Sequence, residues 1–266
     1  MRIHALTTGT VLLKRSFLFP GKGVRRQLDL FLPGPWEGPV PIHCWAVEHE
    51  QRLLLIDTGE SAAVRDIAFA RFDVTPQNEL PGAFAAAGLS LGDVSEVVLT
   101  HHHGDHVDGL SHVQAPVSMS EEEIRFIATP FPTVMRRVLH QPLPPGFAPA
   151  PLTFQDGPFG AFQQSRALSR DGRIVAVPTP GHTPGHLSVI CVDDSGRHVM
   201  LAGDVTDTLE QLHSCRADAV GPDPKVHIAT LARILKHCAA HPTVFLPSHD
   251  RESAARLAGG IVVDTR

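Results

Sequence analysis

The sequence predicts a mixed α/β (α+β) fold. Three observations carry that expectation. Short aliphatic runs bounded by turn residues recur along the chain, stretches of helical spacing alternate with them, and five of the runs end on aspartate or histidine. The runs at 42–47, 53–56, 97–99, 174–177, 187–192, 199–201 and 244–246 are short and rich in Val, Ile and Leu, as buried strands are. Helices are expected at 81–87, at 121–127 behind the cap candidate Ser120, and at 224–239. In the last, Asp223 can cap the helix and Pro224 suits its first turn. Val226, Leu231, Ile234, Leu235 and Cys238 form an apolar stripe that predicts core packing. The stretch 142–158, PLPPGFAPAPLTFQDGP, cannot be regular helix and predicts a long surface loop. The stretch 19–41 is similarly rich in Gly and Pro, carries Arg25 and Arg26, and predicts a second loop; such loops in a compact domain are often binding loops.

The chain of 266 residues reads as a single domain, 1–266, long enough to bury a sizeable core. With 42% hydrophobic and 19% charged residues the composition is that of a soluble globular protein. A net charge of -5 without runs of like charge gives no electrostatic reason to expect nucleic acid. The N-terminal apolar run Val11-Leu12-Leu13 is broken by Lys14 and Arg15, too short for a signal peptide, and nothing later approaches a membrane span. A cytoplasmic protein without a membrane partner is the expectation. Cys44, Cys191, Cys215 and Cys238 form no CxxC pair and read as reduced, partly buried thiols. Two counts stand out: 17 histidines and no tyrosine.

The strand ends carry the chemistry. Ile56 runs into Asp57-Thr58-Gly59, Leu99 into THHHGDH, Val177 into PTPGH, Leu201 into Ala202-Gly203-Asp204, and Leu246 into Pro247-Ser248-His249-Asp250. Ligands of sheet proteins gather beyond strand ends, where loops on a rigid scaffold converge. In His101-x-His103 the two imidazoles lie two residues apart, so an extended segment points both to one side. Gly104 then lets the chain turn, and Asp105 and His106 can face a second ion. Imidazole and carboxylate suit zinc first, with iron, cobalt or manganese as alternatives. A catalytic ion needs about three protein ligands and an open position, and His182, Asp204 and His249 are available to complete two such sets. A lone histidine after a strand is usually a surface or satisfied core residue. The ordered joint occurrence of HxHxDH, PGHTPGH, AGD and SHD is what points to a metal site.

THHHGDHVDGL at 100–110, with IDTG at 56–59, TPGHTPGH at 179–186, AGD at 202–204 and SHD at 248–250, resembles the motif set of the metallo-β-lactamase superfamily over roughly residues 40–250. The resemblance implies an αββα four-layer sandwich with a dinuclear centre at one edge between two sheets. It implies His101, His103 and His182 on the first metal, Asp105, His106 and His249 on the second, and Asp204 bridging both. It also implies that Asp57 and His186 orient ligand imidazoles by hydrogen bonds, and that His102 is not a ligand.

Two such ions, with zinc the first candidate, would lower the pKa of a shared water towards neutrality, with Asp105 as ligand and proton acceptor, which predicts hydrolysis of an ester-like bond. An Asp at 204 argues against antibiotic hydrolysis, since true β-lactamases of this superfamily typically lack the bridging aspartate. His103 argues against the diiron oxygen reductases, which usually carry glutamate there. PIHCWAVEHEQRLLLIDTG, GPDPKVHIATLARIL and FLPSHD fall as they do in N-acyl homoserine lactone lactonases, the quorum-quenching enzymes, so the chain is most similar to that group. One departure is evident: those lactonases commonly carry a tyrosine three residues after the bridging aspartate, where this chain has Asp207. An anion there would oppose a developing oxyanion unless protonated or turned away. The alternatives are an aryl esterase or organophosphate triesterase of the same fold and, from a different class, a non-catalytic metal-binding protein. Phe17, Phe19, Trp36, Phe126, Phe131 and Phe154 are candidates to line an apolar substrate pocket. The expected partners are a small-molecule substrate and, as a candidate assembly, a second copy in a homodimer.

Overall fold

The computed structural model describes residues 1–265. The aliphatic runs fold into two sheets. The strands of the first are β1 (Arg2–Lys14), β2 (Trp36–His49), β3 (Arg52–Ile56), β4 (Ala70–Asp73), β5 (Val94–Leu99), β6 (Val117–Ser120) and β7 (Ala150–Leu152), in the order β4-β1-β2-β3-β5-β6-β7. The second sheet holds β8 (Arg166–Ala167), β9 (Ile174–Pro178), β10 (Leu187–Val192), β11 (His198–Gly203) and β12 (Thr243–Pro247), in the order β12-β11-β10-β9-β8. The helices are α1 (Arg15–Leu18), α2 (Arg25–Leu28), α3 (Leu80–Ala86), α4 (Gly104–Val107), α5 (Glu121–Ile127), α6 (Pro130–Leu139), α7 (Leu209–His213), α8 (Pro224–Ala240) and α9 (Ser253–Gly259).

The packing forms four layers. Between the sheets, Trp45, Leu54, Ile56 and Val98 of the first meet Ala176, Leu187, Val189, Leu201 and Leu246 of the second. On the outer face of the first sheet Leu80, Ala83 and Phe84 of α3 cover Leu55, Val97 and Leu99. On the outer face of the second, Leu231, Ile234 and Cys238 of α8 cover Val177, Ile190 and Phe245. This is the αββα sandwich. Each fully buried Leu, Ile or Phe in these layers contributes roughly 1.5–3 kcal/mol of transfer free energy, and the two-sided burial explains why the central strands read as continuous apolar runs.

Strand direction places the site. β3, β5 and β6 are parallel neighbours. β9 and β11 each run antiparallel to β10, and β12 is parallel to β11. The C-terminal ends of β3 and β5 therefore share one edge of their sheet, and those of β9, β11 and β12 share one edge of theirs. The Leu187 N–H donates to the Thr100 carbonyl at 3.0 Å, joining the two edges.

The seven expected strands and three expected helices are present, with ends shifted by a few residues. Ser120 caps α5 by accepting from the Glu123 N–H, and Asp223 caps α8 by accepting from the Lys225 N–H. The stripe of α8 differs at Val226, which lies in the first turn of the helix and is 42% exposed. The loop expected at 142–158 contains the three-residue edge strand β7, and the 19–41 loop contains α2 and the start of β2. β1 was invisible as an aliphatic run because its buried Leu6, Val11 and Leu13 are interleaved with threonines and Gly9. Among the described residues no helix is long and apolar enough to cross a membrane.

Candidate metal centre

Each of the seven ligand candidates is carried by the end of a strand or the turn beyond it. His101 and His103 follow β5, and the chain then turns into α4, whose first turn holds Asp105 and His106. His182 follows β9, Asp204 follows β11 and His249 follows β12. Their ligand atoms converge in two groups, His101, His103, His182 and Asp204 in one and Asp105, His106 and His249 in the other. Within each group the ligand atoms lie within 4.8 Å of one another. Asp204 faces both. Its Oδ2 lies 3.6 Å from His182 Nε2, 3.8 Å from His101 Nε2 and 3.4 Å from His249 Nε2, and its Oδ1 lies 3.2 Å from His106 Nε2.

The outer hydrogen bonds determine what the inner atoms offer. His106 Nδ1 faces the Asp57 carboxylate at 2.8 Å, His182 Nδ1 faces Asp218 Oδ2 at 2.6 Å, and His249 Nδ1 faces the Pro41 carbonyl at 2.9 Å. These oxygens only accept, so each Nδ1 carries the proton, and the Nε2 of a neutral ring presents a lone pair inward. For His101 the partner is the Thr100 hydroxyl at 3.0 Å. That hydroxyl donates to Asp57 Oδ2 at 2.8 Å, so it accepts from His101 Nδ1. His103 Nδ1 then lies 3.0 Å from His101 Nε2 and 2.9 Å from His182 Nε2. With the rings neutral, three ring nitrogens face one another with one proton at most between them, an arrangement that suits a cation at their centre. Two buried atoms support the fit: His106 Nε2 and Asp204 Oδ1 have no hydrogen-bond partner, although they lie 3.2 Å apart. Imidazole and carboxylate donors of this kind are those of a divalent transition-metal site.

Charge follows from the same arrangement. Burial, reinforced by the neighbouring imidazoles, holds His101 and His103 well below the ordinary histidine range, so both are neutral. Where no cation displaces their Nε2 protons, His106 and His249 are held well above the ordinary histidine range by Asp204 and the neighbouring carboxylates against their burial, and these protonated rings in turn hold the buried Asp204 carboxyl well below the usual range. Asp218, likewise buried, is kept ionised chiefly by His182.

The expected orienting roles divide. Asp57, with φ +60°, accepts from the Thr100 N–H at 2.7 Å as well as from the Thr100 hydroxyl and His106, and so orients the imidazole of a candidate ligand directly. His186 does something else. Its Nε2 accepts from the Asp204 backbone N–H at 3.1 Å while its Nδ1 meets the Thr179 hydroxyl at 2.9 Å. It fixes the backbone of a candidate ligand rather than a ligand imidazole, because Gly203, at φ +60°, turns that N–H towards the ring; a Cβ on Gly203 would lie 2.7 Å from His186 Nε2. His102 points away to Glu123, whose carboxylate also accepts from the Gly185 N–H.

The remaining candidates separate by distance from the centre. Phe17 is buried with its ring edge-on to His182 at 6.4 Å, and it stacks on Phe69 at 6.0 Å. Phe69 meets the half-exposed Phe31 at 6.1 Å, so an aromatic row leads from His182 to the surface. Phe19 lies between the Arg15 and Arg216 guanidinium groups, at 5.2 and 5.1 Å. Phe126 packs on His102, Trp36 lies under Arg71, Phe154 packs against the core between the sheets, and Phe131 is exposed on α6. Asp207 is buried, and its N–H donates to Gln211 Oε1 at 2.7 Å. Burial, with Asp204 and Asp218 nearby and His249 opposing, pushes its carboxyl up to about 7. Sequence reasoning missed Asp218, Thr100 and Phe69. Thr100 adjoins the HxHxDH motif and was findable, whereas Asp218 sits in a loop with no motif of its own.

A family model described as the metallo-beta-lactamase superfamily matches residues 38–236. An uncharacterized Bacillus subtilis protein is 27% identical over 173 residues, covering 62% of this chain and 61% of its own length. A probable metallo-hydrolase of Mycobacterium tuberculosis is 30% identical over 178 residues, covering 61% of this chain and 56% of its own. The chain thus spans about three fifths of the length of these relatives. Among solved structures, a quorum-quenching N-acyl homoserine lactone hydrolase superposes with a TM-score of 0.71 at 19% identity, covering 94% of this chain and 92% of that one. A dizinc quorum-quenching lactonase superposes with a TM-score of 0.65 at 18% identity, covering 93% and 86%. At these identities the structural likeness is one of fold.

Proposed function

Because the chain belongs to the metallo-β-lactamase superfamily, we propose that it is a dinuclear-metal hydrolase that opens lactone or related ester bonds, with N-acyl homoserine lactones as the first substrate class to test. The observation that carries the reading is the convergence of seven imidazole and carboxylate groups in two sets with Asp204 facing both. His101, His103 and His182 would hold one ion, Asp105, His106 and His249 the other. Zinc is the first candidate, with iron, cobalt and manganese tolerated by the same donors. When bound, the pair supplies a nucleophilic water at neutral pH and polarises the scissile carbonyl.

The chain's own residues do the rest. Asp105 is 15% exposed at the side chain, less enclosed than the His101, His106, His182 and His249 imidazoles, and its Oδ2 lies 3.2 Å from His249 Nε2. It can orient the attacking water, take its proton and return that proton to the leaving alkoxide. Asp57, Thr100, Asp218 and the Pro41 carbonyl hold the imidazoles in one orientation, so little reorganisation is needed during turnover. The row Phe17, Phe69 and Phe31 offers an apolar wall to an acyl or aryl substituent.

Asp207 supports a second reading, in which aryl esters or organophosphate triesters are preferred, since the residue is a carboxyl where the lactonases commonly place a tyrosine. The test is a panel assay of purified, metal-loaded protein on acyl homoserine lactones, aryl esters, phosphotriesters and a cephalosporin. Lactone opening, read as one proton released per turnover, is the expected result. Strong esterase or phosphotriesterase activity without lactone turnover moves the assignment to the second reading, and no turnover on any substrate by protein with two bound ions overturns both.

A further inference from the structure

Asp218 belongs to none of the sequence motifs, yet it is one of the most engaged side chains near the centre. It lies in the loop between α7 and α8 and is 3% exposed. Its two oxygens have separate partners. Oδ1 accepts from the Val220 and Gly221 N–H groups, both at 2.9 Å, which closes the loop on itself. Oδ2 accepts from His182 Nδ1 at 2.6 Å. A third tie reaches the 19–41 segment: Arg26 of α2 donates Nε–H to the Asp218 carbonyl at 2.8 Å, and its buried Nη2, without a hydrogen-bond partner, lies 3.9 Å from Oδ1. His227 comes within 3.8 Å of Oδ2, but its Nε2 is spent on the Val205 carbonyl at 2.7 Å. The guanidinium therefore offsets the buried carboxylate, and His182 receives its strong hydrogen bond.

We propose that Asp218 is the positioning residue of His182: it fixes the ring in the Nδ1–H tautomer, which aims the Nε2 lone pair into the first cluster, and Arg26 holds Asp218 there from the neighbouring segment. The proposal rests on the metal-site reading of His182. It goes beyond that reading by assigning the first cluster's affinity to a loop and to a segment that contribute no ligand. A carboxylate oxygen can only accept, so no other tautomer satisfies the 2.6 Å contact with a neutral ring. Buried carboxylates behind metal-binding histidines typically change affinity by 10–100-fold when removed.

Asp218→Asn separates this role from a structural one. The amide oxygen can still accept from Val220 and Gly221, while the amide NH2 then faces the His182 Nδ1–H, donor against donor. The ring escapes by moving its proton to Nε2, which removes the lone pair from the cluster. Two measurements read this. Nitrogen-15 NMR of the metal-free protein, taken at a pH above the His182 titration so that the ring is neutral, reports which His182 nitrogen bears the proton; Nδ1–H in the wild type and Nε2–H in the variant are expected. Chelator-competition titration with zinc should show a 10–100-fold weaker affinity for one ion and little change for the other. Arg26→Gln should weaken the same ion by a smaller factor. An unchanged tautomer, or wild-type affinity for both ions in Asp218→Asn, overturns the proposal. A wild type that binds no ion at the His182 cluster overturns the metal-site reading instead, and the NMR measurement still decides the role of Asp218. A loss of thermal stability with the tautomer unmoved identifies Asp218 as a loop anchor only, which also overturns it.

Discussion

Asp105 and Asp207 are both carboxyls at the centre, and their surroundings set them apart. Asp105 has burial working against its charge, but His106 and His249 prevail and keep it ionised, as a proton acceptor requires. Asp105→Asn keeps a ligand oxygen and loses the basic site. The expected outcome is a fall in kcat of about 100-fold or more with KM changed only a few-fold, on the usual scale of general acid–base contributions. Steady-state kinetics alongside elemental analysis checks it; wild-type turnover in fully metallated variant would exclude the proton-transfer role. Asp207 behaves differently, since burial raises its carboxyl to about 7. Below that pH it is a neutral acid able to donate a hydrogen bond to a substrate carbonyl, as a phenol would; above it, an anion that cannot. The donor is therefore present at acid pH and lost as pH rises through about 7. The expected signature is a decline of kcat on the alkaline side that Asp207→Asn, a donor at every pH, abolishes. Asp207→Tyr should raise lactone turnover if the carboxyl only occupies a vacated place, and a fall with metals retained assigns Asp207 a task of its own.

At the level of elements, legibility followed burial on both faces. The strands β3, β5, β9, β10, β11 and β12 read directly from sequence because they sit between two apolar layers, and their ends carried the ligand motifs. β1 was hidden because its outer residues are polar, α6 because its apolar Phe131, Val134 and Val138 are exposed rather than packed, and Asp218 because nothing near it in sequence marks a ligand's partner. The excess of histidine is likewise only partly explained by the metal motifs. His198 at the start of β11 and His237 and His241 at the end of α8 form a second group, at the opposite end of β11 from Asp204. The Ala161 N–H points at His237 Nδ1 at 3.4 Å, so His237 donates from Nε2 to His198 Nδ1 at 2.9 Å, and His241 stacks on His198 at 4.6 Å. Burial, then His198 and His241, depress His237 from 6.5 to about 3. The folded state thus excludes a proton that the unfolded chain takes up below about 6.5. The sign follows: this contribution to stability is complete above pH 6.5 and is lost as pH falls towards 3. Urea denaturation between pH 6 and 4 should show a steep acid loss, and His237→Phe should flatten it by up to about 1.4 kcal/mol per pH unit. The variant gives up about 1 kcal/mol per lost hydrogen bond at neutral pH. An unchanged slope would show that His237 is not the acid-sensitive group.

For the whole molecule, the centre is a seam between two sheets. His101, His103, Asp105 and His106 come from the first sheet and His182, Asp204 and His249 from the second, while the Ser248 N–H donates to the Gly203 carbonyl at 3.1 Å and the His43 N–H to the Ser248 carbonyl at 3.0 Å. A cation held across that seam ties the halves of the sandwich together, and without it the inward-facing nitrogens and carboxylates must be satisfied by protons or water. Binding to the folded state alone stabilises by about 2.7 kcal/mol at a free ion concentration of 100 Kd. For a chain of this length that corresponds to a rise in Tm of roughly 5–10 °C. Because imidazoles bind metal only when deprotonated, uptake displaces protons, and the stabilisation grows as pH rises through the histidine range. Scanning calorimetry of chelator-treated and zinc-saturated protein at pH 6 and pH 8 should show a larger shift at the higher pH. Titration calorimetry in buffers of different ionisation enthalpy should show net proton release. A Tm indifferent to zinc at both pH values, with zinc demonstrably bound, would mean that the two sheets are joined by the polypeptide packing alone and that the centre is not a structural seam.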